Sequence, residues 1–171
     1  MAIRVRFVAG SGFVGSSIRW VTNSLFQHVE FGTPEGTWIG AHAGGGILER
    51  AADYANYSRD YTYDVPATDA ERDRLLEWAR AQIGTKYNYL DIVGLLVKHR
   101  RWTTPQRFIC SQFCTLGLLE VFGAAKVLNV LGKYAYLVTP EMLHLSPLFV
   151  GRRVIHREPW MHAYREKWKA S

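Results

Sequence analysis

Cysteine is scarce in this chain: only Cys110 and Cys114 occur among 171 residues. Two thiols four positions apart on one helix cannot cross-link a framework, which excludes a disulfide-stapled secreted domain and points to reducing surroundings. Long apolar runs are also missing. The segment Ile92 to Val97 is far too short to span a bilayer, so no transmembrane segment is expected. Met1-Ala2-Ile3-Arg4-Val5-Arg6-Phe7 alternates charged with apolar residues and has no continuous apolar core, so it does not read as a signal peptide, and a soluble cytoplasmic protein is expected. Acidic residues are fewer than basic ones, 15 against 21, for a net charge of +6. That balance would suit an anionic partner, but the basic residues are scattered. Their densest run, Lys98-His99-Arg100-Arg101, has no nucleic-acid-binding motif beside it and reads as a solvated loop; nucleic acid is not an expected partner. Repeats and low-complexity segments are absent.

What is present is 48% hydrophobic residues in a chain long enough for one substantial core, so a single domain over residues 1–171 is expected. Its organising stretch is Arg107-Phe108-Ile109-Cys110-Ser111-Gln112-Phe113-Cys114, where a short extended run turns into an apolar helix with Cys110 as its first residue. The apolar residues from Phe113 to Phe122 fall on all sides, the pattern of a helix buried in a domain, and Gly123 ends it. A thiol at a helix N-terminus sits among unpaired N–H groups at the positive end of the dipole, which favours the thiolate. The same N–H groups could receive an oxyanion. Cys114 lies in an apolar run and reads as packing.

A cysteine nucleophile needs a base within hydrogen-bond reach and a polar group that orients the base. The histidines are His28, His42, His99, His144, His156 and His162; His28 stands out because it opens a strand flanked by apolar residues. Phe26 to Phe31 reads as a strand, Gly32 to Gly36 as a turn and Thr37 to His42 as the returning strand. With a loop spanning Thr33 to Thr37, Gly32 pairs with Trp38 and His28 falls opposite His42; a loop one residue shorter turns His42 away and leaves Glu30 as the polar neighbour. The sequence leaves both registers open.

Elsewhere, Ile3, Val5 and Phe7 against Arg4 and Arg6 predict a strand with one wet face. Gly44-Gly45-Gly46 predicts a tight crossing before Ile47-Leu48-Glu49, and Tyr61 to Val65 a further strand. Thr68-Asp69-Ala70-Glu71 is a capping box for a helix with the apolar stripe Leu75, Leu76, Trp78, Ala79 and Ile83, stopped by Gly84. Ala125 to Leu131 reads as helical, Thr139-Pro140-Glu141 as the start of a short helix, Phe149 to His156 as a strand and Trp160 to Lys169 as a basic, aromatic tail. Two other chemistries compete. Gly10, Gly12 and Gly15 match the G-x-G-x-x-G fingerprint of dinucleotide sites, but no regular strand-helix alternation follows, and a flexible glycine loop is preferred. Cys110 and Cys114 with a histidine pair could form a zinc site, but the spacing is not that of a zinc knuckle. No cofactor or metal is expected.

Taken together, His28, His42, Gly84-x-x-Tyr87, Phe108-Ile109-Cys110-Ser111-Gln112-Phe113 and Thr139-Pro140, in that order, resemble the circularly permuted branch of the NlpC-type papain-like hydrolases, to which lecithin:retinol acyltransferase is similar. The resemblance spans roughly Gly12 to Leu145 and implies an α+β papain-like domain whose antiparallel sheet packs against the cysteine helix. It also implies a thiol hydrolase or acyltransferase with Cys110 as nucleophile, His28 as base and His42 as the third polar residue. Glu30 is the alternative third member, and Tyr87 and Ser111 are candidates near substrate or oxyanion. The implied substrates are a peptide, a peptidoglycan fragment or an acyl lipid, in a bacterial or phage setting. A non-catalytic binding module on the same fold is the alternative.

Overall fold

A computed structural model describes residues 1–10, 24–55, 57–87, 107–127, 138–149 and 155–156. Its centre is an antiparallel sheet ordered β4-β3-β2-β1-β5-β8, built from β1 (Ala2–Ala9), β2 (His28–Gly32), β3 (Trp38–His42), β4 (Gly46–Arg50), β5 (Arg59–Pro66) and a two-residue edge strand β8 (Ile155–His156). Between β5 and β8 come α1 (Asp69–Ala81), a short parallel pair of β6 (Lys86–Tyr87) and β7 (Arg107–Phe108), then α2 (Cys110–Phe122), α3 (Ala124–Val127) and α4 (Pro140–His144). The chain is therefore α+β, with an antiparallel main sheet.

Period-two alternation divides that sheet into two faces. Ile3, Val5 and Phe7 of β1, Val29 and Phe31 of β2, and Ile39 and Ala41 of β3 are all buried on one of them. Phe31 meets Phe113 of α2 at 5.6 Å between ring centroids, and Trp78 of α1 stacks on Phe113 at 5.3 Å, so both long helices cover this face. Truncating a ring such as Phe113 to Ala in a core of this kind costs about 3–5 kcal/mol.

The other face departs from expectation. The alternation of β1 predicts solvent there, and Arg4 does reach solvent in an ion pair with Asp64, but Arg6 is only 4% exposed. The register pairs Arg6 with Glu30, and the two buried charges meet. A buried cation is tolerable because the neighbouring strand supplies its counter-ion.

Local signals hold well where they depend on nearby residues. Thr68 caps α1, accepting from the Glu71 N–H while the Glu71 carboxylate accepts from the Thr68 N–H. Thr139 caps α4, its hydroxyl accepting from the Met142 N–H, with Pro140 first in the helix. Gly123 closes α2 at φ 72°. Of the stripe expected on α1, Leu75, Leu76 and Ala79 are buried, but Ile83 lies past the helix end and is exposed, because the helix stops at Ala81. Phe149 belongs to a turn, and Ile155–His156 is all the strand described in that region. Helix α3 covers only the start of the stretch expected to run to Leu131, whose end lies outside the described residues. Also outside them are Gly12 and Gly15, the segment from Ile92 to Val97, the run from Lys98 to Arg101 with His99, and the tail from Trp160 with His162.

Gly46 carries the tight crossing. Its φ is +76°, and a Cβ there would stand 2.1 Å from the Thr85 carbonyl oxygen, with backbone on both sides of the clash. Gly46→Ala should cost about 2–4 kcal/mol, from the left-handed backbone and from overpacking, as a lower urea midpoint at unchanged slope. A loss below 0.5 kcal/mol, roughly the scatter of surface substitutions, would refute this close approach.

Candidate active site

The loop after β2 decides the site. Thr33 N–H donates to the Thr37 carbonyl, and Gly32 pairs with Trp38, so the hairpin adopts the register with the longer loop. In that register His28, Glu30, Gly40 and His42 share one face, and the His28 and His42 rings lie 4.6 Å apart. The two registers weighed from sequence offered His42 or Glu30 as neighbour of His28; the hairpin supplies both. Glu30 Oε2 is 3.5 Å from His28 Nε2 and 3.9 Å from His42 Nε2.

Cys110 is the first residue of α2. The helix packs on the apolar face, but its first turn comes to the start of β2, where the Cys110 thiol donates to the Gln27 carbonyl at 3.8 Å. There it adjoins the His28 imidazole, whose charged form it favours. Nε2 of His28 lies 3.5 Å from Glu30 Oε2 and has no hydrogen-bond partner. Gln112 folds its side-chain oxygen back onto the Ile109 N–H at 3.3 Å, fixing the turn that presents the thiol.

The electrostatics follow from burial and charge. Burial works against a charged His28, but the adjoining Cys110 sulfur and Glu30 carboxylate outweigh it and hold the imidazolium up to about 10. Burial likewise opposes a charged Glu30; its contacts with His28 and then Arg6 prevail and bring the carboxyl down to about 2. His42 goes the other way: burial, helped by the charge on His28, takes it down to about 3, so it is neutral. His28 thus stabilises the fold fully below pH 6.5, and that contribution is lost as the pH rises through about 10. Glu30 contributes above pH 4.5 and loses its part as the pH falls through about 2.

Three side chains that frame this face escape sequence reasoning. Arg6 holds Glu30 Oε1 through Nε at 2.9 Å and a terminal nitrogen at 2.5 Å, while its guanidinium lies 4.0 Å from the centroid of the Trp38 ring. The Tyr54 hydroxyl donates to Glu30 Oε2 at 3.2 Å and is hydrogen-bonded to the Tyr57 hydroxyl. Burial pushes both phenols up, Tyr57 to about 12. The one sequence signal for the tyrosines is their spacing of three in a turn; Arg6 is visible only once β1 is paired with β2.

The remaining candidates lie elsewhere. Ser111 is fully buried and its hydroxyl donates to the Val138 carbonyl at 2.5 Å, so it ties α2 to the approach of α4 and does not face the thiol's surroundings. Tyr87 is buried in β6, paired with Phe108 two residues before Cys110. Cys114 is fully buried, its thiol pushed well up by burial. The zinc site imagined from the two cysteines does not assemble: among the described residues, the group whose ligand atoms converge within 4.8 Å is His28, Glu30 and His42. The dinucleotide reading also fails on topology, because β1 pairs antiparallel with β2 where the fingerprint requires a parallel strand-helix-strand unit. Of the other histidines, His144 is bound to the Tyr63 hydroxyl at 2.6 Å inside an aromatic cluster with Phe7 and Phe26. Among the described residues, no helix is long and apolar enough to cross a membrane.

No family model and no curated protein matches the chain. Among solved structures it is similar to metalloprotein yiiX from Escherichia coli O157:H7, DUF1105, at 13% identity and a TM-score of 0.62, over 86% of this chain and 93% of that one. At that identity the likeness is one of fold. These findings overturn the resemblance to the circularly permuted NlpC-type hydrolases and to lecithin:retinol acyltransferase. The residues that carried it are short and widely separated, and a helix following a hairpin can present such residues without common descent. The chain shares its fold with a DUF1105 metalloprotein.

Proposed function

We propose that the protein is a thiol-dependent hydrolase or acyltransferase acting on an amide or ester. One observation carries the reading: a cysteine at the first position of a buried helix adjoins an imidazole whose Nε2 lies 3.5 Å from a buried carboxylate. A helix-borne thiol beside a sheet-borne imidazole also supports a papain-like reading of the fold. His28 takes the Cys110 proton. The thiolate forms a bond to the carbonyl carbon, and the displaced π pair on oxygen is received by N–H groups at the start of α2. Collapse of the tetrahedral species expels the amine or alcohol, which leaves with the proton from His28. Water or another acceptor then attacks the thioester, His28 taking its proton, and the thiol returns as the acyl group departs.

Glu30 is better placed than His42 to orient His28. It is anionic, nearer to Nε2, and held by Arg6 and Tyr54, whereas neutral His42 offers no opposite charge to an imidazolium. A peptide, a peptidoglycan fragment or an acyl lipid each satisfies this chemistry.

The alkylation rate tests the pair. A thiol reacts as its thiolate, and an imidazole beside it that takes its proton supplies that form. At about pH 7 iodoacetamide should alkylate Cys110 at least about tenfold faster in the unaltered protein than in His28→Asn. Equal rates in the two would leave a binding module with an ordinary thiol.

A further inference from the structure

The polar face carries a feature that thiol chemistry does not use. Nε2 of His28 and Nε2 of His42 are both buried, and neither has a hydrogen-bond partner. Both point at Glu30 Oε2, from 3.5 and 3.9 Å, and the three atoms lie within 4.8 Å of one another. Unpaired buried nitrogens of this kind cost free energy unless something fills the space between them. Tetrahedral zinc with bonds of 2.0–2.2 Å sets its ligand atoms about 3.4 Å apart, close to these separations. Glycine at position 40 keeps the space open, because a Cβ there would stand 3.1 Å from His28 Nε2 and 3.0 Å from Glu30 Cβ. The outer contacts fit as well: Arg6 occupies Oε1 and the Tyr54 hydroxyl donates to Oε2, which orients Glu30 with Oε2 turned toward the imidazoles.

We propose that His28 Nε2, His42 Nε2 and Glu30 Oε2 form a binding site for a divalent transition metal ion of the zinc or cobalt type, and that occupancy of this site silences Cys110. Two imidazoles and one carboxylate suit a borderline ion and leave a coordination position for water. The coupling rests on the proposed hydrolase. When Nε2 of His28 is a ligand, the one proton of the neutral ring resides on Nδ1, which can donate to the sulfur but cannot accept its proton. Metal at the trio and base catalysis at Cys110 are thus mutually exclusive uses of one imidazole. Cys110 itself lies outside the trio.

Cobalt(II) titration of the metal-free full chain tests both parts. At one equivalent, visible ligand-field bands of a tetrahedral ion should appear without the near-ultraviolet sulfur-to-cobalt absorption of a thiolate ligand. The bands should persist in Cys110→Ala. They should be lost in His42→Gln and in Gly40→Ala, the second retaining all three ligands, with both variants showing the circular dichroism of the unaltered protein. Zinc(II) should slow alkylation of Cys110 in the unaltered protein by about tenfold or more, a protection absent from His42→Gln. Bands that survive in His42→Gln, or vanish in Cys110→Ala, would overturn the site. Cobalt binding with no slowing of alkylation would overturn the silencing. Cobalt binding to a protein whose metal-free thiol is alkylated no faster than that of His28→Asn would refute the hydrolase and keep the metal site, so the two failures are distinguishable.

Discussion

Cys110→Ala should abolish covalent labelling by an electrophilic amide probe and lower turnover of any amide or ester substrate by about 10³-fold or more, as loss of a nucleophile does in triad enzymes. Cys114→Ala should leave both within about twofold. The two residues share a helix and differ by one turn, so the contrast isolates position from residue type. Cys110 sits where α2 begins, beside His28 and the Gln27 carbonyl. Cys114 is fully buried, and burial together with the nearby Cys110 keeps its thiol protonated. Removing one sulfur from the helix start costs about 1 kcal/mol of stability, too little to account for a loss of that size. Intact-mass spectrometry of probe-treated variants reads the result directly. Labelling that persists in Cys110→Ala and disappears in Cys114→Ala would reverse the assignment.

Arg6→Met should be the most destabilising change on the polar face, by about 3–5 kcal/mol, because it leaves the Glu30 carboxylate buried without its strongest hydrogen-bonding cation. For a chain of this size that corresponds to a fall in Tm of about 6–20 °C. Methionine roughly keeps the volume of the side chain and its contact with the Trp38 ring, so the loss reports the charge. Combining Arg6→Met with Glu30→Gln should recover a substantial part of the loss, since the carboxylate that Arg6 neutralises is removed with it. Urea unfolding of the two single variants and the double variant measures the coupling. A loss under about 1 kcal/mol for Arg6→Met would show the pair to be well solvated, like exposed ion pairs, and would weaken Glu30 as the group that orients His28.

How much of this was legible follows the range of the interactions involved. Capping of α1 by Thr68, the proline-led start of α4 and the glycine stop of α2 each depend on residues within one turn, and each stands as expected. The site was half legible. Cys110 at a helix start is a local feature, and so is His28 at the head of a strand. His42 and Glu30 were legible only as alternatives, because their placement hangs on the length of one loop. Arg6 was hidden: charged alternation in β1 looks the same whether an ion pair to the next strand is exposed or buried, and here Arg4 makes the first and Arg6 the second. Ile83 failed for the opposite reason, a periodic stripe extended past a helix that had already ended.

By itself the sequence determined the identity and period of the elements, the thiol at the head of a buried helix, and the exclusion of a disulfide framework. Only the tertiary structure decided that His28, Glu30 and His42 converge, that Arg6 neutralises their carboxylate, and that the helix start reaches the same strand end. Local propensities act over a few residues along the chain. Strand register and the meeting of buried charges are set by packing between segments far apart in sequence, where a shift of one residue turns every side chain to the opposite face.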